Sequence, residues 1–249
     1  MRGAASADSL PAVSRGYSHV EAPFDGRVAA AVARPGLDAG AILDIGVATG
    51  TKGLYSVWPD VPVCLIEPSP DAMPFMRQIA EQRPNVTIYN VAASNRSGVR
   101  QAFKHEERLN IHFDKAKPAW KPTEVTAMTC DEIVADAGLT GPFIYKLDTD
   151  SHELEVLEGS AATLAQSDLC IIELNIFYAL VKLSAPNDIW RVMDAHGFSL
   201  FGVADIGHGE SGILRSLDLA FARADSELFK LAHLHSAKAF RDRPEILTL

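Results

Sequence analysis

Cysteine is scarce in this 249-residue chain: three residues, an odd number, which leaves no basis for a disulfide framework. Cys64 and Cys170 sit inside apolar runs, and with Cys130 they read as reduced core residues. No Cys/His spacing typical of zinc is present, and no residue is assigned as a metal ligand. Positive charge is in deficit: 23 Lys and Arg face 32 Asp and Glu, a net −9, which argues against a chain-wide attraction to nucleic acid or an anionic membrane. Long apolar runs are also missing. The best, from Leu169 to Val181, is interrupted by Glu173 and Asn175 and falls short of a membrane span. Asp8 and Pro11 break any signal-like stretch at the N-terminus, so the cytoplasm is the expected compartment. What the chain does have is 47% hydrophobic residues, enough to bury one good core.

Residues 1–38 are expected to be a tail followed by a short helix over 24–34, and residues 39–249 one domain. From Ala41 apolar runs alternate with helical patterns. Ile42–Val47, Val61–Glu67 and Val86–Ala92 read as strands, with helices from Thr49 to about Val57 and over Asp71–Gln82. That β-α-β-α-β order predicts parallel strands with helices on both faces. Residues 99–128 break the rhythm as an insertion, with short strands at Val99–Phe103 and Glu124–Met128 around a polar segment. A helix at Thr129–Ala137 ends at Gly138. The alternation then resumes with strand Phe143–Leu147, helix His152–Leu164, strand Leu169–Leu174, helix Asn187–His196 and strand Ser199–Val203. Leu217–Ala222 follows without a crossover helix and is expected as an antiparallel edge strand, before a C-terminal helix at Ser226–Phe240.

Two segments carry chemistry. Asp44-x-Gly46-x-x-x-Gly50 follows a strand and opens a helix. Gly46 permits a tight turn and close approach, and Gly50 brings free helix N–H groups near a carboxylate such as the tail of a methionine. Asp44 can accept from a cationic amine. Glu67 ends the next strand, where a carboxylate can accept both hydroxyls of a ribose. The third strand ends Asn90-Val91-Ala92, and Asn90 there reads equally as an adenine contact or a turn residue. A nicotinamide or flavin site is the competing reading. It is disfavoured because Ala48 and Thr51 stand where the second and third glycines of a dinucleotide loop would fall.

The second segment is Lys146-Leu-Asp148-Thr-Asp150-Ser-His152-Glu153. Asp148 closes a strand at the cofactor edge and can orient an acceptor or an amine. Asp150 has two readings: chemistry, or helix capping, because Asp150 to Glu153 has the spacing of a capping box. His152 is a general-base candidate or a solvated first-turn residue. Lys146, if buried, requires a partner such as Glu173. Asp148, Asp150, Glu173 and Asn175 are oxygen donors at strand ends, which leaves magnesium assistance as a further option.

Taken together the chain resembles the FkbM family of S-adenosylmethionine-dependent methyltransferases over roughly residues 40–224. The loop after the first strand, Glu67-Pro68, the Asn90–Ala92 strand end, Lys146–Gly159, Ile171–Glu173 and Ser216–Arg223 occur in the family's order. The resemblance implies a Rossmann-like class I methyltransferase sheet, mostly parallel, and S-adenosyl-L-methionine as cofactor. Together with the residue readings above, it points to Asp44, Gly46, Gly50, Glu67, Pro68, Asn90, Ala92 and Asp148 around that cofactor, and to Asp148 and Asp150, with His152 as a base candidate, at the chemistry. It also implies transfer to a hydroxyl oxygen of a sugar, polyketide or lipid-type acceptor. Ala48, Asp150 and Ser151 depart from the family's Asn, Glu and Gly. They keep open a cofactor-binding protein without turnover.

The insertion supplies an acceptor surface or a solvated loop. Residues 100–122 hold Arg100, Lys104, Arg108, Lys115, Lys117 and Lys121 against Glu106, Glu107 and Asp114, with Phe103, Phe113 and Trp120 among them. This local reversal of charge suits an anionic or sugar-bearing small-molecule acceptor, while the net charge of −9 disfavours the alternative of stacked single-stranded nucleic acid.

Overall fold

The computed structural model describes residues 37–105, 109, 111–113, 120–150, 152–176, 185–208, 212–226 and 228–229. The expected N-terminal tail and helix, the lysines at 115 and 117, Ser151 and nearly all of the C-terminal helix lie outside these residues.

The main sheet begins with β1 (Ala41–Ile45), β2 (Val63–Ile66) and β3 (Val86–Tyr89), all parallel, joined by α1 (Lys52–Val57) and α2 (Met73–Gln82). β8 (Phe143–Leu147) then pairs with the other side of β1, and β9 (Ser167–Asn175) pairs parallel to β8. Next come β10 (Phe198–His208) and β11 (Leu214–Arg223), giving the spatial order β10-β11-β9-β8-β1-β2-β3. The order reverses between β1 and β8, and ligands of open α/β sheets bind outside the strand ends at such a point.

The last strand is antiparallel, as expected from the missing crossover. Its position differs: β11 lies between β9 and β10 rather than at the edge, and β10 is the edge strand. The physical reason is apolarity. Leu219 to Ala222 of β11 are buried, whereas β10 exposes Leu200, Val203 and Ile206.

Each face of the sheet has its own core. Leu43, Ile45, Cys64, Ile66, Tyr145, Leu147, Cys170 and Ile172 pack on one side with α3 (Cys130–Asp136), α4 (Glu153–Glu158), α5 (Ala161–Ala165) and α6 (Pro186–Ala195). Ile42, Leu65, Ile144 and Ile171 pack on the other side with Leu54, Tyr55, Met76 and Ile79 of α1 and α2. Residues one apart therefore face opposite cores, which is why the central strands read as continuous apolar runs. The three cysteines are free and buried.

Local signals set the helices. Thr129 and Glu132 form a reciprocal capping box at the start of α3, and Gly138 follows at φ 61°. Proline stands in the first turn of α2 and α6. The single helix expected over His152–Leu164 is two short ones, broken at Gly159 and Ser160. A Cβ on Gly159 would stand 2.1 Å from the Ser94 carbonyl oxygen, so the helix bends where that strand end presses on it.

The insertion is more ordered than two short strands. β5 (Gly98–His105) and β7 (Trp120–Met128) pair antiparallel along their length, flanked by β4 (Ala92–Ala93) and β6 (Ile111–His112) in a second, four-stranded sheet. Ala92, Ala102, Val125 and Ala127 form its small core. Lys104 of β5 pairs with Asp71 at 2.5 Å and ties this sheet to the turn before α2.

Candidate active site

β1 and β8 meet in a register that sets Asp44 directly beside Lys146. Asp44 is fully buried; its Oδ2 accepts from the Tyr55 hydroxyl, and its Oδ1 lies 3.5 Å from Lys146 Nζ. The Lys146 ammonium donates to Asp148 Oδ2 at 3.1 Å and to the Gly46 carbonyl at 3.2 Å. Burial alone would lower the pKa of this lysine, but the charges of Asp148, Asp44 and Asp218 reverse that and hold it well above its ordinary value. Glu173, the partner expected from the sequence, does not take that role. The register across β1 and β8 gives the lysine to Asp44 and Asp148 instead.

The loop after β1 is folded hard against the end of β8. Gly46 has φ 79°, and a Cβ there would stand 1.6 Å from the Asp148 carbonyl oxygen. Its glycine is thus demanded by backbone contact, beyond the approach of a ligand read from the sequence. Gly50, at φ 95°, would bring a Cβ to 2.5 Å from Ile79 Cδ1, so α2 covers it. Ala48 also has positive φ, 46°, in a conformation that asparagine adopts more readily. For alanine it costs on the order of 1–2 kcal/mol.

Glu67 stands at the end of β2 with its carboxylate inward, accepting from the Ser69 N–H at 2.8 Å and the Ala48 N–H at 3.3 Å. Burial raises its pKa to about 7, against the lowering effect of those two N–H groups and of Lys146. Asn90 donates to the Glu67 carbonyl at 2.8 Å, so its amide braces the strand end. Pro68 is half-buried beside Glu67, and Ala92 is buried in β4, paired with Ala127 of the second sheet.

Asp148, Asp150 and Glu173 bring carboxyl oxygens within 4.8 Å of one another. Asn175 donates to Glu173 at 3.0 Å, so three of the four oxygen donors read from the sequence converge and the fourth braces one of them. This oxygen set has the chemistry that magnesium accepts. Burial, then the charge of Asp148 and its hydrogen bond, push the Glu173 pKa up, so the group is held protonated beside the Asp148 carboxylate. The row continues in register to Asp218 of β11 and Asp205 of β10. Asp218, raised to about 7 by burial and by Asp148, was missed from the sequence, although an acid inside an apolar strand is a usable signal.

The capping reading of Asp150 is corrected. The helix starts at Glu153 with His152 at its N-cap and no side-chain cap; Asp150 has φ 52°, and the Glu153 carboxylate accepts from the N–H and hydroxyl of Thr149. The left-handed turn at Asp150 carries the chain away from capping geometry.

His152 is not a solvated surface residue. It is 8% exposed, with Nε2 3.1 Å from Ser94 Oγ, Nδ1 3.5 Å from Glu155 and its ring 4.4 Å from Phe113. Burial, then the charges of Arg100 and His112, lower its pKa to about 4, so the imidazole is neutral at physiological pH. Arg100 of β5 donates to Ser94 Oγ and lies 4.6 Å over the Phe113 ring. Trp120 packs edge-on to His105 and His112. The second sheet thereby closes one side of the crevice. Tyr55 and Ser94, which touch Asp44 and His152, were not among the site residues expected from the sequence. For Tyr55 the signal was a tyrosine on a helix covering the sheet, whose hydroxyl needs a partner when buried.

A family model described as the methyltransferase FkbM domain matches residues 59–200. The chain belongs to that family. The matched span takes in Glu67, Asn90 and the Lys146–Glu153 segment of this FkbM-family protein, and leaves out the Asp44–Gly50 loop. No curated protein matches the sequence. Among solved structures, the N-methyltransferase NodS from Bradyrhizobium japonicum WM9, in complex with S-adenosyl-L-homocysteine, is 9% identical with a TM-score of 0.52, covering 88% of this chain and 94% of that one. Magnesium protoporphyrin IX methyltransferase from Synechocystis PCC 6803, with bound SAM, is 15% identical with a TM-score of 0.47, covering 80% and 77%. Precorrin-6y C5,15-methyltransferase from Geobacter metallireducens GS-15 is 12% identical at 0.42, covering 79% and 87%. At such identities the likeness to NodS concerns the fold, a Rossmann-like methyltransferase sheet. Membership in a methyltransferase family removes the nicotinamide alternative.

Proposed function

We propose that this protein transfers the methyl group of S-adenosylmethionine to a hydroxyl oxygen of a small molecule, with residues 39–249 acting as one methyltransferase domain. The observation that carries the reading is the convergence at the switch point of Asp44, Glu67 and Asp148, with a fully buried Asp44 Oδ1 that has no hydrogen-bond partner. A buried carboxylate oxygen without a donor is costly, and a cationic ligand group would relieve it. The cofactor's α-ammonium has that chemistry.

When bound, the sulfonium would supply an activated methyl group whose C–S bond breaks as an acceptor oxygen bonds to it in line, with S-adenosylhomocysteine as the leaving group. Glu67 accepts from the ribose hydroxyls, and the Pro68, Asn90 and Ala92 strand ends border the adenine. The Gly46–Gly50 loop, folded against the end of β8, would border the amino-acid tail with its backbone. Asp148 and Asp150 orient the acceptor hydroxyl and take up its proton. His152, neutral and packed under Phe113, holds the acceptor side in shape. Catalysis then comes mainly from placing oxygen and methyl in near-attack geometry. Arg100, Trp120 and Lys121 on the second sheet suit an acceptor with an anionic group, and the net charge of −9 favours a small molecule over nucleic acid.

The test is calorimetry with S-adenosylhomocysteine, followed by turnover of labelled S-adenosylmethionine with a pool of hydroxylated metabolites. Label transferred to oxygen supports the proposal. Binding without transfer to any acceptor favours the cofactor-binding protein without turnover, a reading that Ala48 in its strained conformation keeps in view. Transfer to nitrogen or carbon overturns the oxygen assignment.

A further inference from the structure

Tyr55 has a hydroxyl whose two roles are both fixed by the fold. It accepts from the Thr51 N–H at 3.0 Å and donates to Asp44 Oδ2. With an N–H aimed at its oxygen, its own proton is directed to the carboxylate. The ring is 6% exposed, packed in the core beneath α1. Burial, then the charge of Asp44, raises its pKa well above 10, so it stays a donor at any physiological pH.

The consequence falls on Asp44. With Oδ2 claimed by the phenol, the carboxylate cannot rotate, and Oδ1 is presented beside Lys146 without a hydrogen-bond partner. Lys146 spends its own hydrogen bonds on Asp148 and Gly46. Asp44 and Asp148 thus share one ammonium, and the Asp44 Oδ1 faces it at 3.5 Å without a hydrogen bond.

We propose that Tyr55 is a positioning residue for cofactor recognition, locking Asp44 so that Oδ1 receives the α-ammonium of the cofactor's amino-acid end. This rests on the methyltransferase reading above and deepens it. A tyrosine that merely fills the core would matter equally for every ligand of the crevice. A tyrosine acting through Asp44 matters only for ligands that carry the ammonium.

Two probes separate these cases: S-adenosylhomocysteine, which has the amino-acid end, and 5′-methylthioadenosine, which keeps the nucleoside and thioether and lacks it. In calorimetric titrations Tyr55→Phe, which preserves the ring, is expected to weaken S-adenosylhomocysteine at least tenfold and to leave methylthioadenosine within threefold. Asp44→Asn should show the same selectivity, and adding Tyr55→Phe to it should change little further. Tyr55→Met replaces the phenylalanine variant if the latter does not fold. Equal losses for both probes, or no loss for either, overturn the proposal. Wild-type protein that binds neither probe overturns the cofactor assignment itself, an outcome visible before any variant is made.

Discussion

The carbonyl oxygen of Asp148 occupies the place where a side chain on Gly46 would stand, 1.6 Å from a Cβ built there. The two signatures of the chain are therefore one object. The Asp148 N–H donates to the Ile45 carbonyl at 2.9 Å, and the Gly46 N–H donates to the Ile66 carbonyl at 2.9 Å, so three strand ends are stitched at the crevice floor.

Gly46→Ala is expected to disturb both signatures at once. A positive φ and a backbone clash together should destabilise the fold by roughly 2–5 kcal/mol. Denaturant unfolding measures this, and affinity for S-adenosylhomocysteine should fall in parallel. A variant with wild-type stability and affinity would show that the loop gives way without cost.

If Glu67 is the ribose ligand proposed above, cofactor affinity should depend on pH. Its ionised form accepts hydroxyls, and burial raises its pKa to about 7, so affinity should climb between about pH 6 and 8 and level off above. The stability linkage has the opposite sign: a carboxyl whose folded pKa lies above its ordinary 4.5 disfavours the folded state increasingly as pH rises from 4.5 through 7. Glu67→Gln should weaken S-adenosylhomocysteine by about 2–4 kcal/mol at pH 8 and flatten the profile, as read by calorimetry across that range.

Lys146→Met leaves Asp44 and Asp148 without their shared cation. Removing one partner from a buried charge group typically costs about 3–5 kcal/mol, so the variant should melt far below wild type at neutral pH. Lys146→Arg, which keeps a cation between the two carboxylates, should recover part of that loss. A Lys146→Met melting temperature near wild type would show that Asp44 and Asp148 do without their shared cation.

Asp148 and Asp150 should both act in methyl transfer. Asp148→Asn keeps the shape but loses the carboxylate held by Lys146, and methyl transfer should drop by about a hundredfold. Asp150→Gly removes a carboxylate from a left-handed residue that caps no helix, so it should leave the melting temperature near wild type while slowing transfer. Single-turnover rates and thermal melts on both variants decide it. Full activity in Asp150→Gly would take that residue off the acceptor side.

Much of this protein was determined by local sequence. Parallel strands followed from apolar runs long enough to be buried on both faces, and Gly138 marked the end of the helix that follows Thr129. The turn at Gly46 was legible because a tight turn at a strand end needs glycine whatever lies beyond it. What the tertiary structure alone decided are relations between distant segments. The partner of Lys146 is Asp44 rather than Glu173, because register across β1 and β8 sets which side chains touch. Asp150 has the spacing of a cap, but docking of Gly46 against the Asp148 carbonyl fixes the backbone before the helix and leaves the capping role to no side chain. His152 reads as a surface residue until the second sheet places Phe113 over it, and β11 reads as an edge until burial puts it inside. Sequence patterns carry the periodicity of a single element. They do not carry the registers and contacts between elements, which depend on how whole sheets pack, and it is there that the charges of this crevice find their partners.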